Sequence, residues 1–321
     1  MFKQSAIVIG ALFAAIPAAH AQSSYPERPI RMIVPFAPGG GSDISARTMS
    51  NELGQALNTT IVVDNRPGAG SVLGTDLATK ATPDGYTTLL GNISMAFNAA
   101  LYKKLPYNAL RDLATISLAT EQPNIIVVHP SLPAKDFQEF VALARTQPGK
   151  LTFGSAGLGS GTHLAMEMLM MSQKIRLLHV PYKGTGPAVA ALLGNETNAF
   201  MSTFASALPH VKANRLRALA VTTKTRAGPL PDVPTVEQSG VPGFEYATWY
   251  GVLAPAGTPK PIIDKLNKAI VGVLNTPAVK ERYTKQGVAV RPTTPAEFAK
   301  HFKIETQKWA NVVREAKIPQ Q

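Results

Sequence analysis

The feature that most constrains this chain is an alternation. Short β-prone apolar runs are each followed, through a Gly- or Pro-rich turn, by a segment with helical spacing. Residues 30–36 (IRMIVPF) read as a buried strand and 43–57 as a helix, with Ile44, Ala46, Met49, Leu53 and Leu57 on one stripe. A strand at 60–63, a helix at 71–81 and a strand at 86–91 complete a βαβαβ unit. Parallel strands need such helical crossovers, so the order predicts an α/β architecture with a doubly wound sheet.

Near Asn124 the pattern restarts, with strands at 124–128, 151–155, 176–180, 199–203 and 216–222 and helices at 134–146, 162–172, 187–193 and 207–213. A β-prone run at 245–253 leads through PAGTPKP into helices at 262–274 and 295–316; Phe298, Phe302, Trp309, Val312 and Ala316 form an apolar stripe on the last. A chain that ends in helices after a β crossover suggests a return to the first unit. The expectation is two α/β domains, residues 22–123 plus 250–321 and residues 124–249, hinged as a clamshell with a ligand cleft between them. One large α/β domain is the alternative.

With 45% hydrophobic and 16% charged residues, the chain can bury sizeable apolar cores. It has no cysteine, which excludes disulfides, thiolate metal sites, Fe–S clusters and a cysteine nucleophile. Lys3, the apolar run 6–15 and Ala19-His20-Ala21 have the form of an export signal cleaved after Ala21, which predicts a periplasmic protein without a membrane span. The net charge of +12 is scattered along the chain and loses one unit with Lys3. Export and the lack of a repeated aromatic–basic platform argue against nucleic acid as a partner.

Ligands of open α/β sheets collect beyond the carboxyl ends of the strands. Two loops stand out there. The first, Pro35-Phe36-Ala37-Pro38-Gly39-Gly40-Gly41-Ser42-Asp43, combines three glycines with two capping residues at a strand-to-helix junction, an arrangement that exposes amide N–H groups at a positive helix end. It is not a Walker A loop, since that motif's lysine and spacing are absent. The second, residues 154–163 (GSAGLGSGTH), offers the hydroxyls of Ser155, Ser160 and Thr162 and the imidazole of His163. Such neutral donors can hold a carboxylate. Residues 65–70, starting with Asn65, and 179–186, with Tyr182 and Lys183, are further cleft candidates.

Enzyme motifs fail on inspection. The nucleophile elbow needs G-x-S-x-G, and Phe153 stands where its first glycine belongs; the dinucleotide fingerprint fails at Thr162. His163 and Glu167 are one helical turn apart without a third ligand of matching spacing, so no metal and no cofactor is expected.

The stretches PERPIRMIVPFAPGGGSDISAR, VVDNRPGAGSVLG, PDGYTTLLG, LTFGSAGLGSGTHLAMEML, HVPYKGTGPAVAALLGNETNAF and GVLAPAGTPKPIIDKLN resemble, in order, the Bug (Bordetella uptake) family. These are the periplasmic solute-binding proteins of tripartite tricarboxylate transporters. The resemblance implies a two-domain type II periplasmic-binding fold and a small carboxylate held by backbone amides, hydroxyls and bridging waters. It carries ligand-binding roles onto Phe36, Pro38, Gly39, Gly40 and Ser42 of the first loop, with Asp43 capping the helix, and onto Ser155, Ala156, Gly159, Ser160, Thr162 and His163 of the second. Many relatives have an aspartate where this chain has Ser202, positioned to meet a ligand amine. A buried amine without a carboxylate is costly, so the expected ligand is a di- or tricarboxylate or aromatic acid lacking an amino group.

The leading function is therefore that of a monomeric, non-enzymatic carrier delivering a small carboxylate to the membrane subunits of a tripartite transporter. Alternatives are a receptor read by a sensor-kinase ectodomain and a secreted hydrolase using Ser155 and His163.

Overall fold

A computed structural model describes residues 25–315 and 320; the leader expected at 1–21 and Ala316 lie outside them. The first unit runs β1 (Ile30–Val34), α1 (Gly41–Leu57), β2 (Ile61–Asn65), α2 (Val72–Thr79), β3 (Thr87–Asn92), α3 (Ser94–Leu101) and α4 (Ala109–Asp112) into a long strand β4 (Leu113–Val128). There follow α5 (Phe137–Thr146), β5 (Thr152–Ser155), α6 (Gly161–Gln173), β6 (Leu178–Pro181), α7 (Thr185–Leu193), β7 (Ala199–Thr203), α8 (Phe204–Lys212) and β8 (Arg217–Val221). The chain ends with β9 (Ala247–Pro255), α9 (Lys260–Asn275), α10 (Pro277–Lys285), β10 (Ala289–Val290) and α11 (Pro295–Glu315).

The strands build two sheets that share β4. In the first, the order is β2-β1-β3-β9-β4, with β10 added to β4. In the second, β4 lies between β8 and β7, and β5 and β6 continue from β7. Residues 113–123 of β4 pair with β9, and residues 124–128 pair with β7 and β8. One strand thus walks from sheet to sheet. The returning chain crosses beside it: Tyr246 N donates to Thr222 O at 2.9 Å, and Thr248 Oγ1 donates to Asn124 Oδ1 at 2.8 Å.

The helix–strand alternation agrees with the sequence reading in type and order where elements were expected; α3, α4 and β10 were not expected, and three further differences have physical causes. The first half of β4 was not foreseen because buried polar residues interrupt its buried apolar ones, Leu113, Ile116, Leu118 and Ala119; Ser117, Thr120 and Gln122 are hydrogen-bonded to Thr293 O, Ser45 Oγ and Tyr250 Oη. α10 (PAVKERYTK) buries only Val279 and Tyr283, which is too little to show a periodic stripe. The sheets are also mixed: β1, β2 and β3 run parallel, as do β5, β6 and β7, while β4, β8, β9 and β10 make antiparallel pairs where the chain crosses over.

The apolar interior is not split cleanly between the sheets. One buried cluster includes Leu89, Ile93 and Phe97 of the first unit, Phe153, Leu164 and Met166 of the second, and Trp249 and Trp309 of the returning chain. α11 packs on α3 and β4 and closes this cluster.

Candidate functional site

Both glycine-rich loops fall at strand-to-helix junctions, and the fold brings them face to face. Between them lies a small cavity lined by Phe36, Gly40, Gly41, Ser42, Asn92, Ile93, Ala156, Ser160, Gly161, Thr162, Thr185, Thr203, Thr248 and Tyr250. Gly41 is the first residue of α1, Gly161 of α6 and Thr185 of α7, and Thr203 is the N-cap of α8. Four helix N-termini therefore ring one space. Each presents partial positive charge, so together they favour an anion, although Gly161 N and Ala205 N are already taken by Ser94 Oγ and Gln122 Oε1. Among the described residues, none on the wall has a charged side chain.

Close approach explains two of the glycines. A Cβ on Gly41 would overlap the hydroxyl of Tyr250, and one on Gly161 would overlap that of Tyr246. Burial pushes the Tyr250 phenol well above its ordinary range, which keeps it a donor. Its oxygen accepts from Gln122 Nε2 at 3.2 Å.

Several residues expected in contact with a ligand stand behind the wall instead. Pro38 and Gly39 are exposed and are not part of the wall; Gly39 O accepts from Ser206 Oγ. Asp43 accepts the Gly39 N–H at 3.0 Å and pairs with Arg47 at 2.9 Å; Asn65 donates to Phe36 O at 3.0 Å. Both side chains shape the loop. In the second loop Gly159 N–H donates to His163 Nδ1 at 3.3 Å, and the Ser155 hydroxyl lies 2.6 Å from His179 Nε2. Ser155 and Ser202 are fully buried, and Ser202 donates to Thr203 O at 3.0 Å. Successive strand residues face opposite ways, so Thr203 and not Ser202 reaches the wall. Lys183 is exposed; its carbonyl, not its ammonium group, meets the first loop, accepting from Ala37 N at 3.1 Å.

Phe36, Gly40, Ser42, Ala156, Ser160 and Thr162 are the expected residues that do line the cavity. Thr185 comes from the stretch 179–186 expected at the cleft, while Asn92, Ile93, Thr203, Thr248 and Tyr250 were not foreseen. The β-prone run around Tyr250 was visible in sequence, but nothing local aimed it at this space.

The Ser155–His163 pair required by a hydrolase does not form, because Ser155 is bonded to His179. His163 Nε2 is 3.5 Å from Glu167 Oε1, and among the described residues no three metal-ligating side chains converge.

Polar contacts tie the two sides of the cavity. Ser206 Oγ donates to Gly39 O at 3.2 Å, Gly161 N to Ser94 Oγ at 3.1 Å, and Tyr102 Oη lies 3.0 Å from Ala69 O and 3.2 Å from Leu158 O. The enclosed volume is about 20 Å³, so an organic solute enters only if the walls separate.

Residues 45–318 match the family described as the tripartite tricarboxylate transporter family receptor. The fold is that of the periplasmic binding protein BugD, which is 34% identical with a TM-score of 0.90 over 92% of this chain and 100% of BugD. A Rhodopseudomonas palustris protein, Rpa4515, solved with adipate, is 30% identical with a TM-score of 0.90, covering 92% of this chain and 100% of its own. MatC from the same organism, solved with bound malate, is 33% identical with a TM-score of 0.86 over 90% of this chain and 100% of MatC. The architecture is thus the two-domain type II periplasmic-binding fold, and the relatives bind solutes rather than turn them over. The chain belongs to the tripartite tricarboxylate transporter receptor family, the group of periplasmic binding proteins that includes the Bug proteins.

Proposed function

We propose that this protein captures a small carboxylate without an amino group, a di- or tricarboxylate or an aromatic acid, and delivers it in the periplasm to the membrane subunits of a tripartite transporter. The observation that carries this reading is the ring of four helix N-termini around a cavity whose wall offers hydroxyls, amides and apolar surface but no charged side chain. Backbone dipoles favour a carboxylate there; a solute ammonium would have no counter-charge. Malate in MatC and adipate in Rpa4515 support the class. Asp43, the nearest carboxylate in sequence, is engaged by Gly39 and Arg47 and gives an amine no partner.

On this reading residues 22–123 with 250–321 form one lobe and residues 124–249 the other, and β4 with the segment around Tyr246 forms the hinge. Export after cleavage at Ala21 places the protein where its solute is. Ser202 lies off the wall, so exclusion of amino acids rests on the uncharged lining and not on that position.

A thermal-shift screen tests the function, because a solute that binds only the folded state raises the melting temperature. Malate, adipate, citrate or benzoate is expected to raise it and aspartate and glutamate to leave it unchanged; the opposite pattern would overturn the reading. A second expectation concerns Tyr250. Tyr250→Phe removes a buried donor to a charged solute, an interaction of about 1.5–3 kcal/mol, so affinity in calorimetry should fall roughly 10- to 100-fold. Undiminished affinity would show that the phenol does not touch the solute.

A further inference from the structure

Beside the cavity, a strained piece of backbone crosses from one side to the other. Residues 69–71 lie between β2 and α2, and all three are left-handed: φ is 45° at Ala69, 58° at Gly70 and 93° at Ser71. For alanine and serine that conformation is unfavourable in itself and persists only where neighbours impose it. Here the neighbour is the end of α3. Asn98 Nδ2 donates to Ser71 Oγ at 3.2 Å, and Tyr102, the C-cap of α3, donates its hydroxyl to Ala69 O at 3.0 Å.

The turn held in this way is seated in the second loop. A Cβ on Gly70 would overlap Leu158 O and come within 2.9 Å of Gly159 C and 3.1 Å of Ser160 N, so only glycine allows the approach. Tyr102 reaches the same turn from its own side. A Cβ on Gly159 would lie 3.1 Å from both the Tyr102 ring edge and its hydroxyl, and that hydroxyl is 3.2 Å from Leu158 O. One phenol proton therefore has two carbonyls in reach. Burial pushes the Tyr102 phenol above its ordinary range, so it keeps that proton. Tyr102 is not part of the cavity wall, but Ser160, two residues beyond Leu158, is.

We propose that Tyr102 is a positioning residue for solute capture, a latch that engages Leu158 O in addition to Ala69 O when the lobes close and so holds the second loop over the solute. The proposal rests on the division into two lobes and on the reading of this cavity as the solute site. Ala69 and Tyr102 belong to one lobe and Leu158 to the other, so the bond to Ala69 O survives opening and the bond to Leu158 O does not. The left-handed turn keeps Ala69 O and Gly70 aimed at the place where Leu158 arrives. The latch forms after encounter and acts on escape, so it slows dissociation and leaves association alone. A residue that only shaped its own lobe would change the melting temperature and leave the balance of open and closed forms as it is.

The test is Tyr102→Phe, which keeps the ring and removes the hydroxyl. For whichever of malate, adipate, citrate or benzoate gives the largest thermal shift, stopped flow should show dissociation faster by roughly 2- to 10-fold, the effect of one neutral hydrogen bond. Association should stay within about twofold of the wild type. An unchanged dissociation rate would overturn the proposal. A second arm needs no solute. A Cβ on Gly40, where φ is −86°, would stand 3.3 Å from Thr185 Cβ. That is near the spacing of about 3.5–4.5 Å in a disulfide, and the two residues lie on opposite lobes of a chain without cysteine. In the double variant Gly40→Cys with Thr185→Cys, the disulfide forms from the closed form and a bulky maleimide reacts with the open one. The ratio of the two rates follows the closed-to-open ratio, and adding Tyr102→Phe should lower it by a factor of roughly 2 to 10. An unchanged ratio, with or without a lower melting temperature, would overturn the proposal. If no acid binds while the ratio falls, the proposed function fails and the latch stands.

Discussion

Replacing Gly186 with alanine is expected to weaken solute binding roughly 10- to 100-fold while leaving the melting temperature of the solute-free protein unchanged or slightly raised. Gly186 is the second residue of α7, and its φ is not in the left-handed region, so alanine meets no intrinsic strain. Its added Cβ would overlap the carbonyl oxygen of Pro38 and come within 3.3 Å of Gly39; all three nearest atoms belong to the first loop, across the cavity. Within α7 itself alanine is the better helix former. If the lobes part without solute as proposed, the substitution acts only against their closure. Overpacking of this kind costs about 1–3 kcal/mol, and each 1.4 kcal/mol is tenfold in affinity. Calorimetry gives the affinity, and small-angle scattering should show a larger radius of gyration with solute than the wild type has. Wild-type affinity would mean that solute is held without this approach of the two loops.

The second large effect concerns stability. Trp309→Ala should destabilise the protein by about 3–5 kcal/mol, the range for truncating a buried tryptophan, and lower the melting temperature by on the order of 10 °C. Trp309 is 1% exposed on α11 and meets Phe97 of α3 and Tyr246 edge-on, with centroids at 5.7 and 5.6 Å. Its indole donates to Glu305 Oε2 at 3.0 Å, and Trp249 of β9 donates to the same oxygen at 3.3 Å. Alanine would leave a cavity and also strip one donor from a mostly buried carboxylate. Trp309→Phe keeps part of the ring contact and should lose less. Because Tyr246 lies beneath Gly161, loss of Trp309 is also expected to loosen one wall of the cavity. A calorimetric transition within a degree or two of the wild type would show that α11 contributes little to the fold.

These expectations separate what can be read locally from what cannot. The stripe of Phe298, Phe302 and Trp309 announced α11 as a packed helix, and the glycines of both loops announced backbone approached closely at a strand end. Neither pattern told which partner each would meet. Ser155, attractive as a donor in sequence, is bonded to His179, a residue 24 positions away on the adjoining strand. Tyr250 read only as part of a β-prone run, yet it reaches the space in front of α1 because β9 returns between β3 and β4. Buried Ser117, Thr120 and Gln122 break up the apolar run of Leu113, Ile116, Leu118 and Ala119 and hid the strand that joins the sheets.

By itself the sequence determined the α/β alternation, the freedom from disulfides and metal thiolates, and the two glycine-rich loops as the places for ligand chemistry. Those follow from side-chain periodicity and backbone permissiveness, which act within a few residues. Only the tertiary structure decided that four helix N-termini share one cavity, that Thr203 rather than Ser202 faces it, and that Ser155 and His163 are bonded behind its wall to His179 and Gly159. In a strand one residue's shift reverses the face, and a hydrogen bond between distant segments depends on pairing that no local pattern encodes.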